Sequence, residues 1–255
     1  MARTLAVFRQ NVRLLLGDPG PVAVFILTPL MVMAILRPTS ETLLVQEGFT
    51  NANGSEQVVP GFAVMFAFFW ISFVGRNFLA EHGWGTWQRL LTTTGGAAAI
   101  MVGKLLPALV IIAVQSTVLF LAGALIFGLE SEGPIAALIP VALALIACVL
   151  SLTMALVALC RTFAQVDAFG NLLTMVFAAL GGSLTPVTAL PDAAQEVAPA
   201  TPSYWALKAA REVILEGEGV SAVWAPVGVL LAFTVGFTLI TMARFRIGEV
   251  KSIEA

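Results

Sequence analysis

The residues of this chain that could carry acid, base, nucleophilic or metal chemistry are few and scattered. His82 is the one histidine among 255 residues, so a single chain cannot supply a two-histidine metal site. Cys148 and Cys160 lie on one apolar run, too far apart for a zinc motif and outside any disulfide scaffold. Both read as small buried hydrophobes. Ser183, within Gly-Gly-Ser-Leu, would need a base in reach to act as a nucleophile, and His82 is expected at the opposite membrane face. GGAAAIMVGK (95–104) has glycines ahead of a lysine. A phosphate-binding loop, however, needs glycine where Ala98 stands and a hydroxyl where Leu105 stands. These residues assign the chain no catalytic group, no metal and no cofactor of its own, and the expectation is a protein that is not itself an enzyme. The densest polar cluster is EHGWGTWQRLL (81–91), with Glu81, His82, Gln88 and Arg89 packed around glycines and tryptophans.

The elements that hold that cluster are apolar. The chain is 59% hydrophobic and 11% charged, with a mean hydropathy of +0.96. Soluble domains average about 25% charged residues, so the surface of this one must face lipid. A spanning helix needs about 20 mostly apolar residues. The apolar runs place six spans at about 21–36, 58–78, 104–128, 134–160, 167–186 and 222–243, forming one transmembrane domain over 1–255. Residues 37–57 read as a polar, acidic loop. Leu5, Phe8, Val12, Leu15 and Leu16 form a stripe flanked by Arg3, Arg9 and Arg13. That is the pattern of an amphipathic helix over 1–18 lying along the membrane interface, with a cytosolic extension of the first span as the alternative. The basic start could also be a secretory signal, but no small-residue cleavage site follows Leu36, so an uncleaved anchor is expected.

Six spans put both termini on one side, and the distribution of Lys and Arg decides which. Arg3, Arg9, Arg13, Arg76, Arg89, Lys104, Arg161, Arg244, Arg246 and Lys251 fall on one side; Arg37, Lys208 and Arg211 fall on the other. The termini and 81–91 are therefore expected in the cytoplasm, with the protein multi-pass in the plasma (inner) membrane. Acids and bases are absent from the span centres, where ion relays keep them. Gln115, Ser116, Thr117, Ser151, Thr153, Asn171 and Thr174 are the polar groups well inside. Helix–helix hydrogen bonds, or hydroxyls satisfied by backbone, account for most of them; Gln115, Asn171 and Thr174 are also candidates for a substrate path. Met65, Phe66 and Phe69 in the Phe/Met-rich second span are further path candidates, since adaptable side chains suit varied apolar substrates as well as plain packing.

Glu81, Gly85, Thr86, Arg89, Leu90 and Leu91, followed by Gly103, Lys104, Leu105 and Leu106, make the pattern E-x-x-x-G-T-x-x-R-L-L…G-K-L-L. A second pattern, GGSLTPVTALP (181–191) then PSYWALKAAR (202–211), places Pro186, Leu190, Pro191, Pro202 and Arg211 after the fifth span. Together with the six-span layout, these resemble the permeases of type-2 ABC exporters, the family of daunorubicin-type drug exporters and of polysaccharide and lipid exporters. His82, Trp84 and Trp87 lie outside the family pattern.

The resemblance implies an all-α polytopic membrane protein with a cytoplasmic coupling helix between spans 2 and 3. That helix, with Glu81, Gly85, Thr86, Arg89, Leu90 and Leu91, would dock on a separate ATPase subunit, which would carry ATP and Mg. The N-terminal helix (Arg3, Phe8, Arg9, Arg13) would touch the same partner. Short outer-leaflet helices between spans 5 and 6 would form a lid or exit rim around Pro186, Pro191, Tyr204 and Trp205. A plain surface loop is the simpler reading of that segment, as a loop helix on the headgroups is of 81–91. The implied function is the transmembrane half of an ATP-driven exporter of hydrophobic or amphipathic molecules, drug-like or lipid-like. It would work as a homo- or heterodimer of permease halves, with multidrug efflux and antibiotic resistance as the implied role. An ATP-independent carrier or channel, an intramembrane enzyme and a non-transporting assembly subunit are the rival readings.

Overall fold

The computed structural model of the chain describes residues 20–83 and 96–244, with side chains given except at 21–22, 80–83, 96–102 and 104. The expected interfacial helix with Arg3, Phe8, Arg9 and Arg13, and the coupling residues Gly85, Thr86, Arg89, Leu90 and Leu91, lie outside the described residues. Every regular element among the described residues is helical. The long helices are α1 (Gly20–Gln46), α2 (Ser55–Gly83), α3 (Gly96–Ile126), α4 (Ile139–Leu159, led in by a 3-10 turn at Ile135–Leu138) and α5 (Phe163–Leu180). After α5 come two shorter helices, α6 (Asp192–Val197) and α7 (Pro202–Ile214), and then α8 (Trp224–Arg244). Six of these, all but α6 and α7, are long and apolar enough to cross a membrane.

The first helix departs most from the sequence expectation. Residues 37–46, assigned to a polar loop, continue α1 for ten more residues, so the whole helix holds both Pro29 and Pro38. Leu44 and Ser40 on this extension are buried, and the chain after it folds back along the helix, with Arg37 Nε donating to the Asn53 carbonyl at 3.0 Å. Ser40 and Leu44, four positions apart, share one inward face of the helix. At the other extreme α5 begins earlier and ends earlier than expected, stopping at Leu180 where Gly182 turns with φ +91°. That is backbone only glycine adopts readily.

α2 is the hub. Of its apolar window 83% is buried inside the chain, against 17–50% for the other five long helices. It packs against α1, α3, α4, α5 and α7. α8 lies chiefly along α4 and also meets α7. Glycine lets α2 approach its neighbours: a Cβ on Gly61 would fall 2.2 Å from the Ser183 carbonyl oxygen, and one on Gly75 would fall 2.6 Å from Val166. Small residues at such crossings are how helices pack where lipid supplies no hydrophobic drive.

Candidate functional site

Hydrogen bonds define two polar ends of the bundle. One gathers the end of α1, the start of α2, the chain after α3, the end of α5 and the helices α6 and α7. There Asn53 Nδ2 donates to the Gly128 carbonyl at 2.6 Å and Gln57 Nε2 to the Gly182 carbonyl at 2.7 Å. Glu132 N–H and Gly133 N–H donate to the Ile214 and Val213 carbonyls, each at 3.0 Å. At the opposite end Arg76 of α2 pairs with Asp167 of α5 at 2.5 Å, and Thr162 caps α5 by accepting from the Gln165 N–H at 3.2 Å.

The first end carries the richest polar cluster among the described residues. Glu47, just past α1, accepts from Thr188 Oγ1 through one carboxylate oxygen and from Arg211 of α7 through the other, the latter at 2.7 Å. Arg211 Nε also lies 3.5 Å from Glu216, and its guanidinium sits 5.0 Å from the centre of the Phe49 ring. One turn earlier on α7, Lys208 pairs with Glu212 at 3.9 Å and lies 5.4 Å from the centre of the Trp205 ring. Burial pushes the Glu212 carboxyl up; Lys208 opposes that shift, and Glu216 and Glu218 add to it. A cavity of about 330 Å³ opens beside the cluster, between Gly181, Gly182, Pro186, Tyr204 and Arg211.

The expected rim residues distribute unevenly around this cavity. Pro186 and Tyr204 line it. Trp205 meets Tyr204 edge-on at 5.4 Å and donates through Nε1 to the Pro199 carbonyl at 2.8 Å. Pro191 is exposed beyond it, at the start of α6. The sequence reading did not single out Glu47 and Thr188, which organise the cluster. Glu47 sat in a stretch taken for loop, and no local pattern ties it to Arg211, 164 positions away.

The path candidates fall on two opposite faces of α2. Phe66, Phe69, Trp70 and Phe73 share one face by their spacing, with ring centres 5.3 Å apart for Phe66–Phe69 and 5.2 Å for Trp70–Phe73. Phe25 of α1 stacks on Trp70 at 4.8 Å. Gln115 of α3 completes this group, accepting from Trp70 Nε1 and donating to the Phe25 carbonyl at 3.1 Å. Phe68, Ile71, Ser72 and Gly75 form the other face, toward α5. There Ser72 Oγ lies 3.4 Å from Asn171 Oδ1, and Thr174 is buried, its hydroxyl donating to the Gly170 carbonyl at 2.8 Å. Asn171 is exposed, with Phe169, Leu172 and Met175 around it. Met65 is buried in the core. The structure thus gathers Phe66, Phe69 and Gln115 through Phe25 and Trp70, and keeps Asn171 and Thr174 apart from them.

The backbone of Glu81 lies on the last turn of α2, continuous with its buried body, and its side chain lies outside the described residues. Cys148 and Cys160 are both buried. Among the described residues no three His, Cys, Asp or Glu side chains come together as metal ligands would.

A family model described as "ABC-2 type transporter" matches residues 3–215. The linearmycin resistance permease protein LnrN of Bacillus subtilis (strain 168) is 29% identical to the chain over 195 residues, covering 76% of this chain and 50% of that protein. The chain therefore spans about half the length of this curated relative. No solved structure matches.

Proposed function

The chain belongs to the ABC-2 type transporter family, and from that premise we propose that it is the membrane-spanning half of an ATP-driven exporter for hydrophobic or amphipathic molecules. It is a multi-pass membrane permease; the power source, cargo and partners that follow are our reading. A separate ATPase subunit binds ATP and Mg, a second permease half completes the conduit, and the termini face the cytoplasm of a plasma membrane. The resistance named for the Bacillus subtilis relative supports a toxic cargo.

One observation carries the mechanical part. α2 runs unbroken from Ser55, beside the Glu47 cluster, to Gly83, and it is the most deeply buried of the long helices. A stiff rod packed on five neighbours moves as a body, because close-packed interiors transmit displacement rather than absorb it. Segment 81–91 begins on its last turn. A partner that grips this segment more tightly in one nucleotide state than in another would bias the position of α2 by that difference in affinity. In this reading Glu81, Gly85, Thr86, Arg89, Leu90 and Leu91 form the coupling element, and the helix containing Arg3, Phe8, Arg9 and Arg13 touches the same subunit.

The test is purification of the permease from its native membrane with whatever it binds, followed by ATPase assay in lipid. We expect a stoichiometric ATPase chain whose hydrolysis and transport fall at least tenfold with Arg89→Glu, roughly the loss of one charged interfacial contact. Cargo movement without any nucleotide-hydrolysing companion would overturn the proposal.

A further inference from the structure

The cavity beside the Glu47 cluster has the size of a small-ligand pocket, but most of its polar side chains are already engaged within the chain. Gln57 is bonded to Gly182, Gln195 to the Leu190 carbonyl, Arg211 to Glu47, and Lys208 to Glu212. The pairing accomplishes something else. One carboxylate joins three segments that are distant in sequence: the end of α1 at Glu47, the turn after α5 at Thr188, and α7 at Arg211. Gln195 ties that turn onto α6 as well. α6 and α7 are therefore fastened to the bundle edge at one point as well as by packing.

We propose that Glu47 is the hub of a clamp that holds this rim closed over the start of α2, and that the transport cycle releases it. The clamp rests on the exporter reading above, since release needs a driven movement of α2. Its chemistry suits a latch. The side chains of Glu47 and Arg211 are 17% and 27% exposed, dry enough to hold and close enough to water to be rehydrated when they part. A fully buried pair would cost far more to separate, because each charge would be stranded in an apolar interior. Both oxygens of Glu47 are occupied at once, so neutralising this one carboxylate weakens the hold on the turn and on α7 together, leaving α7 on its packing and on the Glu132 and Gly133 bonds. Bistable contacts of this kind are what domain movements exchange.

Hydrogen exchange measured by mass spectrometry reads the clamp directly, since local opening sets the exchange rate. In the permease alone in lipid nanodiscs, Glu47→Gln should speed exchange roughly tenfold across 187–214, leaving α4 and α8 unchanged. Thr188→Val, which removes one of the two contacts and keeps the ion pair, should speed 187–190 and leave α7 slow. In the permease–ATPase complex, trapping with ATP and vanadate should raise exchange over 187–214 in the wild type to the level of Glu47→Gln. Unchanged exchange in Glu47→Gln overturns the clamp. Faster exchange in the variant, with no response to trapping in a complex that hydrolyses ATP, reduces it to a static tether and overturns the proposed release. A permease that binds no ATPase defeats the exporter reading instead, and the Glu47→Gln result on the permease alone is independent of that.

Discussion

Arg76 of α2 and Asp167 of α5 meet at 2.5 Å, with side chains 60% and 26% exposed, and they tie the two helices together toward the end of the bundle opposite the Glu47 cluster. Asp167 uses one carboxylate oxygen for the pair; the other is buried without a hydrogen-bond partner. Exposed pairs of this kind contribute about 0–1 kcal/mol. Arg76→Ala should therefore lower stability by no more than about 1 kcal/mol. Arg76→Glu should cost more through like-charge repulsion, and Arg76→Glu with Asp167→Arg should restore most of the difference. Thermal unfolding in detergent of the wild type and the three variants checks this; failure of the swap to recover stability would show that the pair is incidental.

Gln115 answers to two helices at once, accepting from Trp70 and donating to the Phe25 carbonyl. Trp70 and Gln115 are 1% and 3% exposed, so water cannot replace the lost partner. Gln115→Leu keeps the volume but orphans the Trp70 N–H, a loss of about 1–3 kcal/mol for a buried donor. Interhelical bonds in membranes average about 0.6 kcal/mol, so a value above 1 kcal/mol would mark this bond as unusually structural. A double-mutant cycle with Trp70→Phe gives the coupling, and a cycle with no coupling would contradict the assignment.

Gly61 has the Ser183 carbonyl where its Cβ would go, at 2.2 Å. Backbone cannot swing aside as a side chain can, so Gly61→Ala should cost about 3 kcal/mol, the upper end for overpacking. Gly228 on α8 has nothing within 4 Å of a built Cβ. Gly228→Ala should be neutral or stabilising by up to about 1 kcal/mol, the helix-propensity difference. Equal stabilities for the two variants in chemical denaturation would refute the close α2 contact.

Glu212 on α7, outside the long apolar helices, has its carboxyl pushed up by burial, with Lys208 opposing and Glu216 and Glu218 adding to the shift. A raised acid pKa means the folded chain holds its proton at a pH where the unfolded chain has lost it. Stability therefore falls as pH rises from the ordinary glutamate value to the raised one, and the cost persists above that. Glu212→Gln should unfold at a higher temperature than the wild type at pH 7 and converge with it near pH 4. A gap that widens on acidification would reverse the assignment.

Much of this protein was legible in the residues. Its low charge and six apolar runs dictate a lipid-facing all-helical bundle, because backbone polar groups in hydrocarbon must be satisfied within each segment. The order of Glu81, Gly85, Thr86, Arg89, Gly103 and Lys104, with Pro186, Pro191, Pro202 and Arg211 later, pointed to the family without any coordinates. Periodicity could not show that α1 runs on to Gln46, since residues 37–46 look polar until Leu44 and Ser40 find a buried face.

Which helix occupies the centre was decided by the tertiary structure. In lipid an apolar helix gains little from hydropathy on being buried, so hydropathy alone does not separate α2 from its neighbours; the close contacts it makes do, through its own Gly61 and Gly75 and through Gly123 of α3 and Gly170 of α5 packed against it. The pairing of Glu47 with Arg211 is likewise invisible in sequence. Two charges 164 residues apart become partners only when the ends of α1 and α7 are brought together, and nothing in the local pattern of either one encodes that meeting.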